Sequence, residues 1–185
     1  LTQSDSNTKI EATGASSSYV ASDVSDIVEA VMPSIVSITN VSESQYQSFF
    51  GGTQTQQSTS CGSGIIVSQD ADNLYIATNN HVVEGADSLT VAFSDNTTVS
   101  AEIKGTDPST DLAVIRVALS SIDSDTLNTI KVATLGNSDD LKAGQAAIAI
   151  GNALGYGQSV TTGVISALNR EVTVSDSNSN TNYTA

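Results

Sequence analysis

From Gly62 onward the chain is a succession of short apolar runs separated by polar turns, and that rhythm restricts it to an all-β architecture. Gly64-Ile65-Ile66-Val67 and Leu74-Tyr75-Ile76-Ala77 flank a turn at Gln69 to Asn73. Ser88 to Phe93 and Thr97 to Lys104 flank Ser94-Asp95-Asn96, a hairpin signal. Asp111 to Val117, Ala146 to Ile150, Ser159 to Ile165 and Glu171 to Val174 follow. β-Branched residues dominate these runs, which favours strands over helices. Short strands at this spacing predict a barrel or a sandwich. With no Trp and few aromatics, the core must be built from Val, Ile, Leu and Ala.

The sequence ahead of Gly62 is of a different kind. Leu1 to about Ala21 is almost wholly polar and reads as a flexible linker, residues 1–21. Val24, Ile27, Val28 and Val31 fall at helical spacing, with Ser22 as N-cap and Pro33 as stop. Ile35 to Thr39 reads as a strand. Ser42 to Ser60 reads as a long polar loop, with Phe49-Phe50-Gly51-Gly52 inside it as a pair of aromatics in search of a neighbour.

Charge and cysteine content narrow the function. Twenty Asp and Glu stand against 6 Lys and Arg, a net charge of −14. Nucleic acid and anionic membrane surfaces both call for basic residues, so neither is an expected partner. A single cysteine, Cys61, forbids an intrachain disulfide, and with one histidine it cannot complete a zinc site. Cys61 reads as a small, semi-buried residue beside a glycine turn; a thiol nucleophile paired with His81 is the sharper alternative. No run of about 20 apolar residues is present to span a membrane. The chain starts at Leu1 rather than Met, so the natural N-terminus is expected to be missing and any anchor or signal to lie upstream.

Two stretches carry chemistry. The only histidine, His81, follows the strand Leu74 to Ala77 within Thr78-Asn79-Asn80-His81-Val82-Val83. Thirty positions on, Asp111 heads an apolar run within Thr110-Asp111-Leu112-Ala113-Val114. A serine hydroxyl is a weak nucleophile and needs a base, and the base needs a third group to hold its tautomer. His81 suits the first role and Asp111 the second, although each also fits a plainer part, as a capping histidine and a turn aspartate. Ser138, in Gly136-Asn137-Ser138-Asp139, lacks the small following residues of a nucleophile turn and reads as a turn or cap. Gly62-Ser63-Gly64 and Gly155-Tyr156-Gly157 read as turns, not phosphate loops. Three Asn-X-Ser/Thr triplets, beginning at Asn40, Asn96 and Asn182, are ascribed to chance in so Asn-, Ser- and Thr-rich a chain.

Gly62 to Ile66, Ala77 to Ala86, Asp107 to Val114, Leu135 to Asp139, Leu141 to Asn152 and Thr161 to Ala167 together resemble HtrA/DegP-type serine proteases, in the family's order. The resemblance implies a chymotrypsin-like double β-barrel, the first barrel complete and the second only partly present. It divides the chain into 1–21 (linker), 22–140 (N-terminal barrel) and 141–185 (first strands of the C-terminal barrel). It makes His81 and Asp111 the catalytic base and orienting acid, with no cofactor and no metal. It further implies an extracytoplasmic homotrimer, joined to a membrane only through an upstream anchor, that cleaves unfolded or misfolded polypeptides in protein quality control. The chain departs from the family in having no Gly-Asn-Ser-Gly-Gly segment, no PDZ domain, Ala153 in place of a frequent Pro and Ala146 in place of a frequent aromatic. These 185 residues are therefore expected to be inactive alone, with the nucleophile following Ala185. Autolysis after Ala185, in the polar run Asp176 to Thr184, is a further expectation. The competing readings are a polypeptide-binding pseudoprotease and a surface interaction protein of sandwich type.

Overall fold

A computed structural model describes residues 23–47, 53–152, 158–170, 174–176 and 179–183. The expected linker, the Ser22 cap, the Phe49–Phe50 pair, Ala153 and the turn at 155–157 lie outside the described residues. So does part of the run expected to be cut.

Ser25–Val31 forms helix α1, and Met32–Ser34 continues it as a 3-10 turn with Pro33 at its start. The N-cap is Val24, with no side-chain cap. Asp23 takes the neighbouring role instead, accepting from the Ser25 backbone N–H and hydroxyl. The helical apolar spacing does not produce a buried face: Ile27 and Val31 stay exposed. Seven residues bury too little surface to seat a helix by periodicity alone.

Strands β1 (Ile35–Gln47), β2 (Thr53–Gln69), β3 (Asn73–Thr78), β4 (Ser88–Ala92), β5 (Thr98–Asp107) and β6 (Leu112–Ala118) close into one antiparallel barrel in the order β1-β2-β3-β6-β5-β4. Closure comes from β1, which pairs with β2 along one edge and β4 along the other. Alternating residues fill the interior: Val36 and Ile38, Leu74 and Ile76, Leu89 and Val91, Ala113, Ile115 and Val117. The core is aliphatic as composition requires, with Phe93 its one aromatic. Short helix α2 (Asn80–Val83) follows β3, and α3 (Ser124–Thr129) packs against the barrel after β6. Buried Thr126 in α3 donates to Asp95 (2.5 Å) and lies 3.0 Å from the Thr97 hydroxyl, tying α3 to the β4–β5 hairpin.

Two expectations are corrected here. Ser42 to Ser60 is not a structureless loop: β1 and β2 stay paired from Ile35↔Ile65 out to Gln47↔Thr53. Ladder hydrogen bonds join backbone groups whatever the side chains, so a projecting hairpin with exposed residues such as 56–60 leaves no apolar period to read. Nor is Gly62-Ser63-Gly64 a turn. Both glycines lie inside β2, opposite Ile38 and Val36. A Cβ on Gly62 would stand 2.5 Å from a Val82 methyl, and one on Gly64 2.6 Å from an Ile76 methyl. Close packing, not chain reversal, demands glycine there.

Beyond the barrel, Ser138–Asp140 is a 3-10 turn capped by the Asn137 side chain, as expected of a turn serine. Strands β7 (Ala146–Gly151) and β8 (Ser159–Val164) form a two-stranded antiparallel sheet, and β9 (Val174–Asp176) pairs with β10 (Ser179–Tyr183). A polar clasp joins β7–β8 to the barrel. The Asn152 backbone N–H donates to Ser63 Oγ (2.6 Å), and its side-chain amide donates to Ser37 Oγ (3.0 Å). The architecture is all-β: one closed barrel plus part of a second sheet.

Candidate active site

His81 and Asp111 meet at one edge of the barrel because β3 and β6 are neighbours. Thr78, the last residue of β3, pairs with Ala113 near the start of β6. The chain leaving β3 and the chain entering β6 therefore share an end. Asn79 is extended and opens α2, which carries His81 one residue later. On the other side, Asp107 nucleates a turn by accepting from Ser109 and Thr110. The turn ends at Asp111 in the left-handed region, φ 53°. That conformation is uncommon outside glycine, and Asp tolerates it better than most residues.

The Asp111 carboxylate is used at both oxygens. Oδ2 lies 2.7 Å from His81 Nδ1, and Oδ1 accepts the His81 backbone N–H at 2.9 Å. Asn79 Nδ2 donates to Asp111 Oδ2 (3.2 Å) and to its carbonyl oxygen (3.0 Å), which also accepts the Asn80 N–H (3.1 Å). Partial burial is the largest single influence on this carboxyl and pushes its pKa up. The hydrogen bonds from the His81 backbone and ring, the ring's charge and the Asn79 amide together outweigh it, and the pKa lies below the ordinary Asp value.

An ionised carboxylate only accepts, so the ring nitrogen facing it carries the proton. In the neutral imidazole this leaves the lone pair on Nε2. Nε2 has no hydrogen-bond partner among the described residues, and the His81 side chain is 69% exposed against 32% for Asp111. The arrangement is thus an imidazole with its tautomer set from behind and its accepting nitrogen open in front. Beside it runs a groove lined by Ile35, Ser63, Ile65, Asn79, Leu112 and Ile150.

Sequence reasoning named His81 and Asp111, and the fold brings them together. It missed Asn79, which braces Asp111 rather than capping its own helix, and Asn40, which holds α2 from β1. Asn40 had a readable signal: it continues the inward series Val36, Ile38 with a polar residue. The Ser138 hydroxyl takes no part in this cluster, consistent with its turn role. The Cys61 thiol lies 3.9 Å from Thr39 Oγ1, and among the described residues no hydrogen bond joins it to His81, which gives the thiol-nucleophile alternative no support. Among the described residues no group of three or more His, Cys, Asp or Glu side chains is placed to hold a metal.

Residues 62–184 match the family model for the trypsin-like peptidase domain. The chain is 40% identical over 163 residues to the serine protease Do-like HtrA of Bacillus subtilis, covering 85% of this chain and 35% of that protein. It is 47% identical over 116 residues to the "Probable periplasmic serine endoprotease DegP-like" of Halomonas elongata, covering 63% of this chain and 22% of that protein. The chain thus spans between 22% and 41% of the length of these and similar curated relatives. Among solved structures it resembles the HtrA-type protease AlgW with a tripeptide (TM-score 0.57, 35% identity, 77% of this chain and 39% of that one). AlgW with a decapeptide is similar to the same degree (TM-score 0.57, 32% identity, 77% and 45%). The chain belongs to the trypsin-like peptidase family and is HtrA/DegP-like within it.

Proposed function

We propose that this chain supplies the base and the orienting acid of an HtrA-type serine endopeptidase. The observation that carries the reading is the doubly used carboxylate: Asp111 takes His81 Nδ1 on one oxygen and the His81 backbone N–H on the other. A carboxylate held this way fixes both the ring's tautomer and its seat. His81 Nε2 takes the proton of a serine hydroxyl as that oxygen attacks a peptide carbonyl. It then gives the proton to the leaving amine, and water releases the acyl group by the same route. In this reading the nucleophilic serine and the donors that stabilise the oxyanion are supplied from outside these 185 residues.

Residues 22–140 form the first catalytic barrel, 141–185 begin the second, and 1–21 act as a spacer. The substrates are unfolded or misfolded polypeptides in protein quality control; the peptide-bound state of the AlgW structures supports a polypeptide ligand. An extracytoplasmic homotrimer is the working assembly, and the periplasmic designation of DegP-like relatives supports the location. No helix among the described residues is long and apolar enough to cross a membrane.

The test is peptidase assay of a protein extended past Ala185 through the Gly-Asn-Ser-Gly-Gly segment. His81→Ala and Asp111→Asn are each expected to lower kcat about 10,000-fold or more, with KM little changed. The 185-residue chain is expected to give no turnover. Full activity in His81→Ala would end the reading.

A further inference from the structure

We infer that Asn40 is a positioning residue for His81, clamping the turn that carries the imidazole onto β1. The inference rests on the reading of His81 and Asp111 as base and orienting acid. Asn40 occupies an inward position of β1, is 4% exposed, and pairs through its backbone with Ser60 of β2 and Leu89 of β4. It is thus fixed within the barrel wall. Its Nδ2 donates to the carbonyls of Val82 (3.0 Å) and Glu84 (3.1 Å). Both partners only accept, so the NH2 end of the amide must face them, and both its protons are used.

Helix α2 needs this help. It has four residues, too few to hold their own shape, and the last carbonyls of any helix lack intrahelical donors. Asp111 secures its N-terminal side through the Asn80 and His81 N–H groups. Asn40 secures its C-terminal side, and His81 lies between the two anchors. Gly62 completes the seat by leaving room for the Val82 side chain.

The amide carries an uncompensated cost: Asn40 Oδ1 is buried with no hydrogen-bond partner among the described residues. An aliphatic residue would continue the Val36, Ile38 series without that cost, but it would leave the carbonyls of Val82 in α2 and of Glu84 just after it without these donors. The polar choice is explained by what it holds. Releasing the C-terminal side of α2 lets the imidazole swing relative to Asp111 without altering any group that touches substrate.

His81 is the only histidine, so its ring nitrogens can be followed alone by proton–nitrogen NMR of the whole chain. A proton bound to Nδ1 and held by Asp111 is expected in the parent. In Asn40→Ala and Asn40→Asp, that signal is expected to broaden beyond detection, and the His81, Val82 and Glu84 amides to exchange about tenfold faster. Asn40→Ser offers a milder probe of the same effect should either variant fail to fold. Thr126→Val, which removes a buried hydroxyl bonded to Asp95, is expected to lower the melting temperature while leaving the His81 signals unchanged. Parent-like signals in the folded Asn40 variants, or equal loss in Thr126→Val, overturn the assignment. Asp111→Asn separates the two readings. If it too leaves the Nδ1 proton as in the parent, the His81–Asp111 reading falls. If it abolishes the signal and the Asn40 variants do not, Asn40's role alone falls.

Discussion

Strands β6 and β8 both alternate with period two, and they have opposite fates. In β6, Ala113, Ile115 and Val117 alternate with outward residues and are 0–3% exposed. In β8, Val160, Thr162 and Val164 alternate in the same way, yet Val160 is 38% and Val164 45% exposed. The difference lies in the partners. β6 has β3 on one edge and β5 on the other inside a closed barrel, whereas among the described residues β8 pairs only with β7. Alternation states which face is apolar; closure decides whether that face is buried. The site follows the same division, since His81 and Asp111 both sit at the rim of the closed barrel, and the β7–β8 sheet joins that barrel through the Asn152–Ser63 clasp and lends Ile150 to the neighbouring groove.

The comparison can be broken most directly at the core. Ile115→Ala removes a fully buried side chain and is expected to cost about 2–5 kcal/mol in denaturant unfolding. Gly62→Ala comes next. Its Cβ would stand 2.5 and 2.7 Å from the two Val82 methyls, so the wall and α2 must separate, at about 1–3 kcal/mol. The same substitution is expected to disturb the ring of His81, one residue from Val82, which nitrogen shifts would report.

Acid stability sharpens the comparison at the rim. The folded Asp111 carboxyl titrates below its ordinary value, so its contribution is fully present above an unfolded pKa of about 3.9 and is lost as pH falls through the lower folded value. Melting temperature against pH should therefore fall less steeply below about pH 4 in Asp111→Asn than in the parent. An identical acid limb in both would deny the carboxylate its stabilised ionised form. The smallest effect is expected in β8: Val164→Ala should stay within about 0.5 kcal/mol. β7–β8 amides should exchange faster than those of β3 and β6. A cost at Val164 as large as at Ile115 would mean that β8 is covered in solution, and the contrast would collapse.

The barrel strands were legible because each buries one face, which imprints period two on Leu74 to Ala77, Ser88 to Phe93 and Asp111 to Val117. The outer part of the β1–β2 hairpin was not, since both its faces are polar and its pairing is carried by the backbone. The glycines of β2 were misread as a turn for a related reason: the Val82 and Ile76 methyls that require them lie far off in sequence. Residue type marked His81 and Asp111, but Asn79 looked like an ordinary polar residue, and Asn40 showed only its place in the inward series, until their acceptors were placed around them.

By itself the sequence determined an all-β chain with an aliphatic core, a lone histidine behind one strand and an aspartate before another. Those properties depend on local alternation and on side-chain chemistry, both written along the chain. Only the tertiary structure decided that β3 and β6 lie side by side, that Asp111 turns both its oxygens to His81, and that an asparagine on β1 holds the intervening turn. Those contacts span 30 and more residues, and such distances are set by how the barrel closes rather than by any neighbouring residue.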